Sequence, residues 1–211
     1  MRPDVGRPPT SHERRSGRPW DASYYDGPAP WDVGRPQPTV ARLALEGRFT
    51  GTVLDAGCGT GENSLLVAAL GLPVLGVDVA ETALSIGREK AAERRVAAEF
   101  EWADALRLDR LGRRFDTVLD CGLFHSFDDD ERLEYVASLA SVTEPGATAY
   151  VLCFSDVGTD TGPHPVSRDE LAAPFGPGSG WTVAAIEADR VLTRFHDDRG
   201  APAWLATLSR V

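Results

Sequence analysis

The chain has 211 residues, of which 42% are apolar and 26% charged, values typical of one globular domain with a sizeable buried core. Its net charge of -10 argues against nucleic-acid partners, because binding to phosphates requires clustered lysine and arginine side chains. Because the sequence has no apolar run of about 18 residues and no apolar N-terminal core, we expect neither a membrane span nor a signal peptide, and a cytoplasmic location.

Residues 1–19 are rich in arginine, proline and glycine and contain almost no apolar side chains. Such a segment cannot bury enough surface to offset its loss of conformational entropy, so the composition predicts a disordered tail. Four aromatic residues follow in a short, proline-broken stretch: Trp20, Tyr24, Tyr25 and Trp31. Because aromatic side chains gain most when they are buried, residues 20–46 are predicted to pack on the domain as a lid, followed by a helix that begins near Pro36.

Strand and helix patterns then alternate through residues 47–211. Strands are predicted over 52–55, 73–77, 99–102, 115–119, 147–154, 181–186 and 204–208, and helices over 63–70, 82–95, 129–142 and 167–175. The helix over 129–142 should be stopped by Pro145 and Gly146, which precede the fifth strand. The alternation predicts a single α/β domain with a doubly wound, mostly parallel, seven-stranded Rossmann-like sheet, whose ligand lies at the carboxyl ends of the strands.

The strongest functional signal is the glycine-rich stretch 53–61, Val-Leu-Asp-Ala-Gly-Cys-Gly-Thr-Gly, between the first strand and its helix. Glycines there allow a tight turn and a close approach to a ligand, and the helix N-terminus offers free N–H groups. A nicotinamide-dependent Rossmann enzyme places its third glycine one residue later than Gly61. Asp55 would repel a pyrophosphate and would suit a ligand with an ammonium group.

This stretch resembles the glycine motif of the class I methyltransferases that use S-adenosylmethionine (SAM), and the resemblance runs from about Trp20 to the end of the chain. It implies that the backbone of 57–59 lies against the methionine part of SAM, that Asp78 binds the ribose, and that Asp104 with Ala105 contacts the adenine. The cofactor-binding residues that it implies are Trp31, Asp55, Gly57, Cys58, Gly59, Asp78, Val79, Asp104, Ala105 and Asp120.

Residues 30–38, Pro-Trp-Asp-Val-Gly-Arg-Pro-Gln-Pro, resemble the N-terminal segment of small-molecule methyltransferases related to the thiol, halide and thiopurine enzymes. In that branch the segment covers the cofactor, which implies that Trp31 packs on or beside SAM. The alternative is that the aromatic residues only attach the N-terminal arm to the domain.

The acceptor is expected to be a small aromatic or heteroaromatic molecule, because no large inserted domain is present and aromatic side chains accompany the predicted site. The residues predicted to bind it are Trp20, Tyr24, Tyr25, Phe124, His125 and His164. His125 follows the fourth strand, where it could act as a general base, orient the acceptor or cap a helix. His12 and His196 lie in polar segments and are predicted to be solvated.

Neither a metal ion nor a covalent intermediate is implied, since methyl transfer from a sulfonium is a direct displacement. The cysteines, Cys58, Cys121 and Cys153, lack metal-site spacing and are predicted to be reduced interior thiols. Two other functions stay open at this point: a non-catalytic SAM-binding regulatory protein, and, less favoured, a dinucleotide-dependent oxidoreductase. The oligomeric state is not indicated by the sequence.

Overall fold

A computed structural model describes residues 7–158 and 161–211, and within them seven strands form one sheet. The strands are β1 (Val53–Ala56), β2 (Val74–Asp78), β3 (Ala98–Trp102), β4 (Phe115–Cys121), β5 (Thr143–Phe154), β6 (Trp181–Val191) and β7 (Ala201–Arg210). The helices are α1 (Ser11–Ser16), α2 (Pro38–Leu45), α3 (Glu62–Ala69), α4 (Glu81–Arg94), α5 (Asp129–Ser141) and α6 (Arg168–Ala172). Turns of 3₁₀ helix occupy Trp20–Tyr24, Ala105–Leu111, Phe124–Ser126 and Ala173–Phe175.

The strands are arranged in the order β3-β2-β1-β4-β5-β7-β6. Strands β1 to β5 pair in parallel, and β7 is antiparallel to both β5 and β6. The predicted doubly wound, mostly parallel Rossmann-like sheet is therefore confirmed. The strand order reverses beside β1 and β4, and such a switch point leaves a crevice at the carboxyl ends of the strands.

The sheet is buried on both faces, because alternate side chains of each strand point to opposite sides. On one face, Leu54 and Val118 belong to a core cluster that includes residues of α5. On the other face, Val53 and Leu119 belong to a cluster that includes residues of α2 and α3. This packing fixes the carboxyl ends of β1 and β4, from which the loops of the crevice start.

The N-terminal segment is ordered from residue 7, so the prediction of a disordered tail over 1–19 is wrong for residues 7–19, and residues 1–6 lie outside the described residues. Thr10 and Glu13 form a reciprocal capping box at the start of α1. The backbone N–H of Ser11 donates to Glu131 Oε1 of α5 at 2.6 Å, and Arg7 pairs with Glu13 at 2.6 Å. These buried contacts supply the stabilisation that the composition of the segment lacks.

Strand β5 begins four residues earlier than predicted and contains Pro145 and Gly146. Phe115 is paired with Thr143, whereas Thr117 is paired with Thr148, so the extra residues form a bulge at the start of the strand. Proline is tolerated there because a bulged residue does not need to donate a ladder hydrogen bond.

Gly61, in the turn before α3, packs closely against the ring of Phe100. Gly61 has φ of 80°, and a Cβ atom at this position would lie 2.4 Å from the ring of Phe100. Gly71 has φ of 83°, but no atom lies within 4 Å of its Cβ position. We expect Gly61→Ala to lower the unfolding free energy by about 2–5 kcal/mol, because overpacking adds to backbone strain. Gly71→Ala, the matched control, should lose about 1–2 kcal/mol from strain alone. Equal losses in equilibrium denaturant unfolding would contradict the steric argument.

Candidate active site

A deep cleft lies at the carboxyl ends of β1, β2 and β4, where the strand order reverses. It encloses about 1550 Å³ of space, including its open mouth. One end is formed by the glycine-rich loop and the end of β2, and the other by histidine and aromatic side chains.

The glycine-rich loop turns with its backbone facing the cleft. Gly57 and Gly59 have φ of 72° and 54°, a region that residues with a Cβ atom rarely adopt. A Cβ atom on Gly57 would lie 3.0 Å from Leu123, and one on Gly59 would lie 3.1 Å from the hydroxyl oxygen of Tyr24. Bare backbone is thus required on both sides of Cys58, which also lines the cleft.

Asp78 ends β2 on the wall of the cleft. Its Oδ2 accepts a hydrogen bond from the backbone N–H of Gly59 at 2.9 Å, and its Oδ1 accepts one from Ala80 at 2.9 Å. Burial raises the pKa of this carboxyl. Since a carboxylate oxygen has two lone pairs, each oxygen can accept a further bond from a ligand diol. Val79, Asp104 and Ala105 continue the wall beyond Asp78, as predicted from the sequence.

The segment that follows α1 crosses the cleft above the glycine-rich loop. The indole N–H of Trp31 donates to the hydroxyl of Tyr24 at 2.9 Å, and Asp32 accepts a bond from the Thr60 hydroxyl at 2.8 Å. Lys90 Nζ also donates to that hydroxyl at 2.8 Å. Tyr24 therefore lies at the glycine-loop end and not at the predicted acceptor end. That the segment acts as a lid during turnover stays a prediction.

Asp55 and Asp120, which were expected to contact the cofactor, lie beneath the cleft and not on its wall. Asp55 accepts a bond from Ser64 Oγ at 2.6 Å, and burial raises its pKa to about 6. Asp120 accepts bonds from the backbone N–H of Leu123 at 2.9 Å and of Phe124 at 3.1 Å, and burial raises its pKa to about 7. Both carboxyls anchor the elements that carry the cleft residues.

Two predicted acceptor residues also lie off the cleft wall. Phe124 is fully buried, stacks on Phe175 with ring centroids 6.0 Å apart, and lies under the Arg132 guanidinium. Successive side chains of a 3₁₀ turn point about a third of a turn apart, so the neighbouring His125 faces the cleft while Phe124 faces the core. Tyr25 is 62% exposed and faces away from the cleft.

Three histidines, Trp20 and Phe154 line the far end of the cleft. His12 stacks on Trp20 with centroids 4.2 Å apart and meets the edge of His164 at 5.8 Å. His125 packs against Phe154 at 4.5 Å. The prediction that His12 is solvated is therefore wrong, because α1 carries it into the cleft. Among residues 7–158 and 161–211, no cluster of His, Cys, Asp or Glu could hold a metal ion.

The histidines at this end are held neutral. Burial, assisted by the Arg132 guanidinium and by the charge that His164 would carry if protonated, lowers the pKa of His125 to about 3. Burial also lowers the pKa of His12 and of His164. A neutral imidazole both accepts and donates a hydrogen bond, so each ring can bind a polar group of a ligand.

Comparison with known proteins adds sequence relationships to this geometry. The family described as "Methyltransferase domain" matches residues 53–146. The 2-heptyl-1-hydroxyquinolin-4(1H)-one methyltransferase of Mycobacteroides abscessus is 37% identical over 166 residues, which cover 77% of this chain and 72% of that protein. This relationship extends over most of both chains and decides the family. The chain is a SAM-dependent methyltransferase.

Other relatives agree with this assignment. A probable thiol methyltransferase of Arabidopsis thaliana is 28% identical to this chain, in an alignment that covers 64% of this chain and 61% of the Arabidopsis protein. A solved structure described as "Conversion of a Disulfide Bond into a Thioacetal Group during Echinomycin Biosynthesis" is 38% identical, with a TM-score of 0.77 over 86% of this chain and 84% of that one. The predicted resemblance to small-molecule methyltransferases, including thiol enzymes, is confirmed.

The residues present at the glycine-loop end fit SAM. The bare backbone at Gly57 and Gly59 leaves space that a Cβ atom would occupy, and Asp78 presents a carboxylate that suits the ribose diol. Val79 and Ala105 provide apolar surface for the adenine.

Among the described residues, no helix is long and apolar enough to cross a membrane.

Proposed function

We propose that the methyltransferase transfers the methyl group of SAM to an O, S or N atom of a small aromatic or heteroaromatic acceptor. The observation that carries this proposal is the far end of the cleft, where aromatic rings and neutral imidazoles lie next to the glycine-rich loop. Flat rings such as Trp20 and Phe154 favour a planar ligand, because offset-stacked and edge-to-face contacts add to the gain from burial. Imidazoles supply the polar contacts that fix its orientation.

The relatives support a planar acceptor. The Mycobacteroides abscessus protein is named for a hydroxyquinolone, a flat heteroaromatic molecule with a hydroxyl group on its ring nitrogen. The Arabidopsis thaliana protein is named for thiols. Both names describe small molecules that carry a weakly acidic O–H or S–H group, and a neutral imidazole of the cleft can bind such a group.

The protein's part in the reaction is to bind, orient and exclude water. Bound SAM would supply a methyl group on a positively charged sulfur. An acceptor atom attacks the methyl carbon in line with the carbon–sulfur bond, and the sulfur is the leaving group. Leu123 and His125 follow β4 and connect the two ends of the cleft: Leu123 adjoins Gly57 of the glycine-rich loop, and His125 lines the acceptor end. Trp20 and His12 cover this end from the N-terminal segment and keep water from it. His125 orients the acceptor by a hydrogen bond to its reacting group.

His125→Gln tests this role, because glutamine keeps a hydrogen-bonding group of similar reach. An imidazole whose pKa is about 3 is a weak base, so we expect the ring to position the acceptor. The variant should lower kcat by about 5- to 10-fold, the value of one hydrogen bond, for acidic thiols and for weakly acidic phenols alike. The measurement is S-adenosylhomocysteine (SAH) formation across a panel of acceptors.

Glu89→Gln is the control, since Glu89 is exposed on α4 and does not line the cleft. A loss of about 100-fold confined to acceptors of high pKa would contradict positioning and assign a general base. If the protein binds SAM but forms no SAH with phenols, thiols, N-hydroxy heterocycles or amines, the proposed transfer is wrong and a SAM-binding regulatory protein is supported.

A further inference from the structure

Three imidazoles converge on the acceptor end of the cleft from three separate parts of the chain. His12 comes from α1, His125 from the 3₁₀ turn after β4, and His164 from the loop between β5 and α6. The rings of His12 and His164 are 5.8 Å apart, and all three side chains line the same space. We call these residues the histidine cluster.

Two independent features of the histidine cluster indicate a ligand. Nδ1 of His125 is buried without a hydrogen-bond partner, although a buried polar nitrogen normally has one. His164 has φ of 53°, a left-handed conformation that is unusual for a residue with a side chain. Backbone strain of this kind is concentrated at ligand-binding sites. Because the Nδ1 nitrogen of His125 has no exposed surface, it gains a partner only if the ring of His125 rotates toward a bound molecule.

The charged groups that act on the histidine cluster favour a negative ligand. The charges of Arg15 and Arg132 lower the pKa of His164, and the charge of Arg132 lowers that of His125. Arg132 also forms an ion pair with the exposed Asp129 at 3.2 Å. Arg15 lowers the pKa of His12, and the carboxylate of Glu13 raises it. The Glu13 carboxylate is already bound by Arg7 at 2.6 Å. An anion placed among the rings would therefore meet mainly positive or neutral groups.

We infer that His12, His125 and His164 form one acceptor-binding cluster, which takes a planar aromatic acceptor with its reacting O–H, S–H or N–OH group ionised. This inference rests on the proposed function and specifies its substrate class. The acceptor loses its proton to solvent before transfer. Its anion then forms the bond to the methyl carbon, the carbon–sulfur bond breaks, and the electron pair stays on sulfur. The methylated product is neutral, so it loses the attraction of the cluster and dissociates.

The probe for this inference is 4-nitrophenol, a planar phenol that titrates near neutral pH and whose anion absorbs visible light. The SAH complex is used, because SAH lacks the positive sulfur of SAM and any remaining preference for the anion belongs to the protein. We expect the pKa of the bound phenol to fall by about one unit, which corresponds to about tenfold tighter binding of the anion. The isosteric 4-nitroaniline, which has no acidic group in this range, should bind more weakly.

Single substitutions locate the effect. His12→Gln, His125→Gln and His164→Gln should each reduce the pKa shift of bound 4-nitrophenol, whereas Glu89→Gln, at an exposed position of α4 away from the cleft, should leave it unchanged. An unshifted or raised pKa of the bound phenol overturns the inference, as does a full shift in all three variants. Absence of saturable phenol binding in a protein that still binds SAH also overturns it. A protein whose melting temperature is not raised by SAH would instead refute the proposed function itself.

Discussion

Removal of residues 1–19 is expected to lower kcat/KM for aromatic acceptors by about 100-fold or more, with a much smaller effect on SAH affinity. The truncation deletes His12 and leaves one face of Trp20 without its stacking partner. It also removes Glu13 Oε1, which accepts a bond from the Trp20 backbone N–H at 3.3 Å. The acceptor end would then be open to water, while the glycine-rich loop and Asp78 would keep their contacts.

The measurement is steady-state methylation with saturating SAM, together with calorimetric titration of SAH. His12→Ala in the full chain is the matched control, because it removes the imidazole but leaves α1 anchored by the Ser11–Glu131 hydrogen bond. A smaller loss in this variant separates the contribution of the ring from that of the covering segment. Full activity of the truncated protein would show that residues 7–19 have no part in the site.

Asp78→Ala is expected to weaken SAH binding by about 10- to 100-fold. The substitution removes the carboxylate that we expect to bind the ribose, and a charge-assisted hydrogen bond is worth about 1.5–3 kcal/mol. It also leaves the N–H groups of Gly59 and Ala80 without their acceptor, which loosens the glycine-rich loop. Both effects act on the same end of the cleft, so acceptor binding to the residual SAH complex should change little.

Asp116→Ala is the matched control for Asp78→Ala. Asp116 also accepts a backbone hydrogen bond, from Thr52 at 2.8 Å. It lies near the start of β4, at the amino ends of the strands, whereas the cleft lies at their carboxyl ends. Its replacement should cost stability without changing SAH affinity in calorimetric titration. If Asp78→Ala unfolds at the same denaturant concentration as wild type and binds SAH equally well, Asp78 is not a cofactor residue.

The sheet and the cofactor end of the cleft could be predicted because their signals are local. A buried parallel strand is a short apolar run, and the positive φ angles at Gly57 and Gly59 require glycine whatever the rest of the chain does. The same holds for Asp78, whose position at the end of β2 follows from the strand itself. These predictions need no knowledge of which distant residues meet.

The far end of the cleft could be predicted only in part. Trp20, His125 and His164 line the cleft as expected, whereas His12 is brought there by distant contacts. Thr10 and Glu13 have the spacing of a capping box, and this was the available signal for α1. The composition of the segment nevertheless predicts a tail, because the bond from Ser11 to Glu131 spans 120 positions and leaves no trace in the local sequence. His12 was consequently placed in solvent.

Burial explains the errors at Asp55 and Asp120. A carboxylate at the end of a strand has the same sequence context whether it faces a ligand or an adjacent element. Asp55 is bound by Ser64 of α3, and Asp120 by the turn that carries His125. Whether each carboxyl reaches the cleft depends on the direction in which its side chain points. The sequence pattern specifies only the strand end at which each residue lies.

The two ends of the cleft are built from parts of the chain that can change separately. Strand termini inside the packed sheet hold the cofactor end, whereas α1, the turn at Phe124–Ser126 and the loop before α6 hold the acceptor end. Substitutions in these outer pieces leave the buried registers of β1, β2 and β4 intact. Related proteins can therefore differ in acceptor specificity through substitutions in a few surface segments, while the residues that bind SAM stay the same.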